Sequence, residues 1–287
     1  MAKPVKTIGN PATWFLNWLR GSAHFVQGSA QEVAGQDIPR PQVATIGLDD
    51  IRAALRMGFE DLGTFRTDVL FIVILYPVLG LGLMAFAFQL NLLPLLFPLM
   101  SGFALLGPIA AICLYEMSRL RETGQEARLL TALRVVASPA IGAILAIGLL
   151  LVALFLAWMV AAYVIFALTL GPEPPVSATA FLSDSLTTPA GWAMIVIGCG
   201  VGFVFAAVTL ALTIVSLPLV IHRHAGVLVA LATSLKVTRK NPMTVAVWGA
   251  LVVCFLVLGM LPLLVGLMIA FPVLGHATWH LYRRAVI

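Results

Sequence analysis

MTVAVWGALVVCFLVLGMLPLLVGLMIAFPVLGHATWHLY, residues 243–282, is an almost uninterrupted apolar run. About 20 apolar residues suffice for a helix to cross hydrocarbon, so this run spans once as a very long helix or twice as a hairpin. Gly259-Met260-Leu261-Pro262 favours a break. Charge decides between the two. Arg223, Lys236, Arg239 and Lys240 precede the run, and Arg283 and Arg284 follow it. Lys and Arg stay on the cytoplasmic side of a membrane. One crossing would split the two basic groups and two crossings reunite them, so the reading is a pair of helices over 243–259 and 262–281.

Working outward, four further apolar runs are long enough to cross: 69–88, 92–115, 139–170 and 190–221. Gln89 and Asn91 mark the short turn between the first two. The expected fold is all-α, a polytopic membrane protein of six transmembrane helices arranged as three hairpins, occupying 46–287. All 17 Lys and Arg then fall on one side, which places both termini in the cytoplasm of a bacterial-type inner membrane. The outer loops hold only Glu173 and Asp184. The +5 net charge follows from this topology and implies no nucleic-acid partner.

Composition agrees. The chain is 61% hydrophobic and 10% charged, an excess that one water-soluble core cannot hide. Residues 1–45 read as a largely disordered cytoplasmic tail with a short apolar patch at Trp14–Leu19. Cys113, Cys199 and Cys254 lie inside apolar runs without metal or disulfide spacing, and read as small packing residues. Tyr115, Trp279 and Tyr282 fall at inner helix ends and Trp192 at an outer one, depths that amphipathic rings favour.

Each hairpin is preceded by an amphipathic cytoplasmic stretch. Leu48, Ile51, Leu55, Leu62 and Phe65 share one helical face, Asp49 and Asp50 suit the first turn, and Arg56 is spaced to pair with Glu60. Leu129, Leu130, Leu133, Val136 and Ala137 form a second face. Val227, Leu228, Leu231 and Leu235 form a third, with Thr233, Lys236 and Lys240 opposite. Echoes such as Ala54-Leu55-Arg56, Ala132-Leu133-Arg134 and Ser234-Leu235-Lys236 suggest a threefold repeat. Gly198, Gly202 and Ala206 make a small-residue stripe for helix packing. Pro77, Pro98, Pro108, Pro218 and Pro272 predict kinks.

Chemistry is sparse. No Asp, Glu, Lys or Arg lies in the central part of any expected span, which disfavours proton coupling and voltage sensing. His276 and His280 are four apart and share a helix face, so they are the candidate ligands for haem or a metal, with Glu116, His222 and His224 at the same membrane side. The plainer reading is hydrogen bonding to neighbouring helices. Asp68, Tyr115, Glu116 and Arg119 form a polar helix-end cluster that sets helix depth. No Ser/His/Asp arrangement is legible, and Gly198–Gly202 has no strand before it to make a phosphate loop. No catalytic residue is assigned.

Several motifs taken together resemble a known family: Thr45–Asp50, Ser101-Gly102-Phe103-Ala104-Leu105-Leu106-Gly107-Pro108, Leu114–Arg119, Thr188–Trp192 and Pro272–Arg284. They are similar to the bacterial integral membrane family called domain of unknown function 2189, over residues 43–286. The resemblance implies no established role. The label "cytochrome c oxidase subunit I-like" on some members implies a respiratory link, although a haem-copper core needs more buried histidines than this chain has. Acidic residues are expected by that resemblance where His222 and His224 stand, which disfavours a shared metal site there. The leading expectation is a non-catalytic accessory subunit, assembly factor or scaffold in a membrane-protein complex, touching anionic lipids at its cytoplasmic face. The alternatives are a transporter or channel for a small neutral or amphiphilic solute, and a haem or metal protein.

Overall fold

The computed structural model describes residues 41–64, 70–88, 92–262 and 264–287. The tail patch at Trp14–Leu19, together with Phe65 and Asp68, lies outside the described residues. The chain forms α1 (Leu48–Thr64), α2 (Leu70–Ala87) and a 3-10 turn at Leu93–Leu95 that leads into α3 (Leu96–Leu105), α4 (Gly107–Ala110) and α5 (Ile112–Glu122). Then come α6 (Leu129–Ala132) with a 3-10 turn at Leu133–Ala137, α7 (Ile141–Thr169), α8 (Ala178–Thr187), α9 (Pro189–Thr213) and α10 (Ser216–Arg223). Last are α11 (Val227–Lys240), α12 (Pro242–Met260) and α13 (Leu267–Ala285). Among the described residues the one non-helical pairing is the antiparallel bridge between Val43 and Val286.

Among the described residues, three helical stretches are long and apolar enough to cross a membrane: Ile141–Thr169, Pro189–Arg223 and Pro242–Met260. They turn large apolar side chains outward, with Leu168 81% and Phe203 73% exposed. A helix apolar on every face needs hydrocarbon or a protein core around it, and outward leucines of this number need the former.

Long apolar helices stand near three of the six expected spans, 139–170, 190–221 and 243–259, and a shorter one lies within 69–88. The hairpin break falls where glycine and proline place it, and α13 starts at Leu267 after the turn. Leu264 takes a left-handed φ of 66° there. A Cβ on Gly266 would stand 2.7 Å from the Gly259 Cα, so glycine at both positions lets the two strands of the turn touch. The 92–115 run, by contrast, is no single helix. It divides at Leu106 and Ala111 and runs on to Glu122. Pro108 supplies the cause, since its ring lacks an N–H and crowds the carbonyl four residues earlier. The break between α9 and α10 likewise falls four residues before Pro218. Pro77 and Pro272 sit inside continuous helices.

The centre of the molecule is α13, buried on nearly all sides from Phe271 to Tyr282. Helix α1 runs antiparallel along it. A Cβ on Gly58 would meet the Val273 carbonyl oxygen at 2.7 Å and the Ala277 Cβ at 2.9 Å. Helix α5 approaches another side, where a Cβ on Gly275 would meet Leu114 Cδ1 at 2.5 Å. The entry to α1 is pinned far away in sequence: the Ile46 N–H donates to Asn241 Oδ1 at 2.9 Å, and Thr244 Oγ1 donates to the Ile46 carbonyl at 2.8 Å.

These contacts correct the amphipathic reading. The buried face of α1 is Ile51, Ala54, Gly58 and Asp61, while Leu48 is exposed. The buried face of α11 is Ala230, Thr233, Ser234 and Val237, while Leu228 is exposed. In both, small residues four apart let backbones approach, and that packing outweighs leucine burial where lipid can receive the leucines. The second stretch forms only the short α6 and a 3-10 turn, so it does not repeat the others. Tyr115, Trp279 and Tyr282 are core residues, at 2% exposure or less, rather than interfacial anchors. Cys199 and Cys254 are exposed on their helices rather than packed between them, and Cys113 is half-buried.

Candidate functional site

Three helices bring their polar residues to one end of the molecule. On α5 the spacing of Ser118, Arg121 and Glu122 puts them on one face. On α13 the same holds for His276, His280 and Arg283. Helix α1 contributes Asp61, which continues the small-residue face of Ala54 and Gly58 one turn further on. Asp61, Ser118 and His276 are buried to 1% exposure or less.

The Asp61 carboxylate is the hub. Ser118 Oγ donates to Oδ2 at 2.5 Å, and His280 Nε2 lies 2.9 Å from the same oxygen. Arg121 pairs with Oδ1. An ionised carboxylate only accepts, so His280 carries its proton on Nε2. The Ser118 proton points at Asp61, so His276 Nδ1, 2.8 Å from Ser118 Oγ, is the donor in that contact. Burial by itself would push the Asp61 carboxyl up. The bonds from His280 and Ser118, the nearby His276 and the Arg121 guanidinium hold it down to about 2.

The rim is paired as well. Glu122 accepts from Trp279 Nε1 at 3.0 Å and from Arg283 Nε at 2.8 Å. Arg119 grips Glu116 with two nitrogens, at 2.6 and 2.7 Å. His222 Nδ1 meets the Tyr282 hydroxyl at 2.8 Å. Above the hub opens a cavity of about 510 Å³, walled among others by Met57, Glu60, Asp61, Arg121, His280 and Arg284. A second cavity of about 100 Å³ lies where the helices break, lined by Gly107, Pro108, Trp248 and Phe271 with hydroxyls from Tyr115, Thr213 and Thr278.

The structure therefore assembles a serine, a histidine and an aspartate that the sequence did not show as a set. Their order is wrong for an activated nucleophile. In a hydrolytic triad the imidazole stands between serine and carboxylate and takes the serine proton. Here the carboxylate takes it directly and the imidazole donates. Likewise, no Asp, Glu, Lys or Arg lies in the middle of the long apolar helices, but a carboxylate reaches α13 from the side, carried by α1.

Of the sequence candidates, His276 and His280 do share one cluster. Nδ1 of the first meets Ser118 and Nε2 of the second meets Asp61. Among the described residues no group of three or more His, Cys, Asp or Glu is arranged to hold a metal. Glu116 and Arg119 form their own pair, and Tyr115 bonds Thr278 instead of joining them. On the packing stripe, Gly202 receives the Trp158 ring at 3.0 Å from where a Cβ would be, whereas Gly198 faces open space and Ala206 is half-buried. Asp61, Ser118, Arg121 and Glu122 were missed. The visible signal for Asp61 was the Ala54-Gly58-Asp61 face, which ranks below the leucine stripe by hydrophobicity.

The fold and its apolar surface define an integral membrane protein with several apolar helices. Over residues 95–222 the chain matches the family described as "Predicted integral membrane protein (DUF2189)", the family its motifs resemble. That description carries no oxidase label. The match includes Ser118, Arg121 and Glu122, while Asp61, His276 and His280 lie on either side of it. No curated protein and no solved structure matches the chain.

Proposed function

We propose that this protein is a non-enzymatic subunit or scaffold of the bacterial inner membrane, built as six spans with both termini on the cytoplasmic side. The observation that carries the reading is the closed network around Asp61. The side chains best suited to chemistry are engaged with one another, and they lock α1 onto α13 and α5. The result is a rigid, charged helical layer at one end of the membrane helices, a surface suited to a protein partner.

The topology has its own support. The basic C-terminal ends of α5, α10 and α13 meet: Arg283 bonds Glu122, and Arg223 bonds the Ile287 carbonyl at 3.2 Å. The start of α12 bonds Ala44 and Ile46 at that same end. Glu173 and Asp184 lie on the connection between α7 and α9. This distribution matches the positive-inside rule. Leu130, Leu133 and Val136 are exposed beside Arg128 and Arg134, which suits an anionic lipid surface. The test is purification in mild detergent from its own host: a stoichiometric membrane-protein partner is expected, and repeated recovery of the chain alone would refute the reading.

A second reading rests on the cavity of about 100 Å³ at the helix breaks. Interrupted helices around a mostly apolar cavity with three hydroxyls suit a path for a small neutral or amphiphilic solute. Uptake of such solutes into proteoliposomes, unchanged between wild type and a variant that fills the cavity, such as Gly107→Leu, would remove it.

A further inference from the structure

The cavity of about 510 Å³ between α1, α5 and α13 has a wall of both charge signs, with arginines 121, 283 and 284 and carboxylates 60, 61 and 122. Most of these charges are matched. Asp61 receives Ser118, His280 and Arg121, and Glu122 receives Trp279 and Arg283. Two are matched poorly. The Arg284 terminal nitrogens rest on Met57 Sδ at 3.6 and 3.7 Å, one of them also donates to the His280 carbonyl at 3.3 Å, and its Nε stands 3.6 Å from Asp50 Oδ1. A thioether is a weak acceptor, and 3.6 Å exceeds a charged hydrogen bond. The terminal nitrogens of this half-buried guanidinium thus hold only neutral acceptors, a thioether and a carbonyl, with the Asp50 carboxylate at longer range on Nε. Glu60 receives Arg56 Nε on Oε1 at 3.0 Å, at the exposed edge of the cavity. A carboxylate has a second oxygen to offer.

A simple anion would gain at Arg284 and be repelled by Glu60. A simple cation would meet the reverse. A ligand carrying both signs gains at both, and Met57 adds apolar lining to the same cavity. We propose that this cavity binds a compact zwitterion, with its oxyanion on the Arg284 fork and its primary ammonium on Glu60. A free aminoalkyl phosphate and the headgroup of an aminophospholipid share this chemistry. The inference is independent of the scaffold reading, since a subunit or a solute carrier could hold such a ligand.

The test uses the full chain in maltoside micelles and isothermal titration with phosphoethanolamine, with inorganic phosphate and ethanolamine as single-charge controls. Saturable binding at least about tenfold tighter than either control is expected, with a loss of about tenfold or more in both Arg284→Gln and Glu60→Gln. Unfolding midpoints of the two variants, expected near wild type, show that the loss is not one of folding. Phosphatidylethanolamine added to the micelles abolishes the titration if the lipid headgroup is the occupant and leaves it intact if the free zwitterion is. Both of those results support the site. Phosphate binding as tightly as phosphoethanolamine with no effect of Glu60→Gln would overturn it. So would folded wild type that binds neither phosphoethanolamine nor phosphatidylethanolamine.

Discussion

His280 Nε2 meets Asp61 Oδ2 at 2.9 Å across 219 residues of chain. That contact joins a helix reached early in the sequence to the last one, inside a cluster where each partner depends on the others. Removing the carboxylate takes the partner from the Arg121 guanidinium and the acceptor from the His280 Nε2–H and the Ser118 hydroxyl. Breaking one partner of a buried pair costs about 3–5 kcal/mol. Asp61→Ala is expected to lose that much in detergent unfolding monitored by circular dichroism. Ser118→Ala, which removes one neutral donor, is expected to lose about 1–3 kcal/mol.

The same carboxylate sets an acid limit. Its folded value of about 2 lies below the ordinary 3.8, so the ionised form favours the folded state. The contribution is complete above about pH 5 and is lost as pH falls through the folded value. At 1.36 kcal/mol per unit it is on the order of 2 kcal/mol. Unfolding midpoints of wild type are therefore expected to fall between pH 5 and pH 2, with that component of the slope missing in Asp61→Asn.

Two glycines of α1 should respond oppositely to alanine. At Gly58 the new methyl would collide with the Val273 carbonyl and Ala277, and overpacking of this kind costs about 1–3 kcal/mol. At Gly63 no atom lies within 4 Å, so alanine gains helix propensity of up to about 1 kcal/mol. Paired measurements on Gly58→Ala and Gly63→Ala separate close helix contact from general sensitivity of the helix.

Trp158 joins α3, α7 and α9. Its Nε1 donates to the Pro98 carbonyl at 3.1 Å and reaches Ser101 Oγ at 3.2 Å, while its ring covers Gly202. Trp158→Phe keeps most of the ring and should cost about 1 kcal/mol through the lost donor. Trp158→Ala should cost about 3–5 kcal/mol. Equal losses for the two would mean that the hydrogen bonds, not the packing, join the helices.

Cysteine labelling in intact cells tests the topology. With Cys113, Cys199 and Cys254 replaced by serine, Ile287→Cys and Leu130→Cys are expected to react with an impermeant maleimide only after permeabilisation. Thr179→Cys is expected to react before it. Labelling of Ile287→Cys from outside would reverse the orientation of α13.

The long apolar helices were legible because apolar length is a property of contiguous residues, and the break between α12 and α13 was legible because Gly259 and Pro262 mark it. The packing of α1 was not. Its pattern offers two faces, and the one with fewer carbons is buried because Ala54 and Gly58 fit beside Ala277, a fact held by α13. His276 and His280 were recognised as a pair from their spacing alone. Asp61 and Ser118, which complete their cluster, stand on other helices, and nothing local to either marks the encounter. The breaks at Leu106 and Val215 were half legible: proline announced disturbance, though not which prolines would end a helix and which would stay inside one.

The antiparallel bridge between Val43 and Val286 and the run of α1 along α13 impose an order on biosynthesis. A ribosome has made Asp61 long before it makes the imidazole that bonds it, so α1 must wait, partly uncovered, until α13 emerges. A nascent chain that stops short of residue 276 leaves that carboxylate without its histidines. The hold on α1 thus depends on a side chain synthesised 219 residues later.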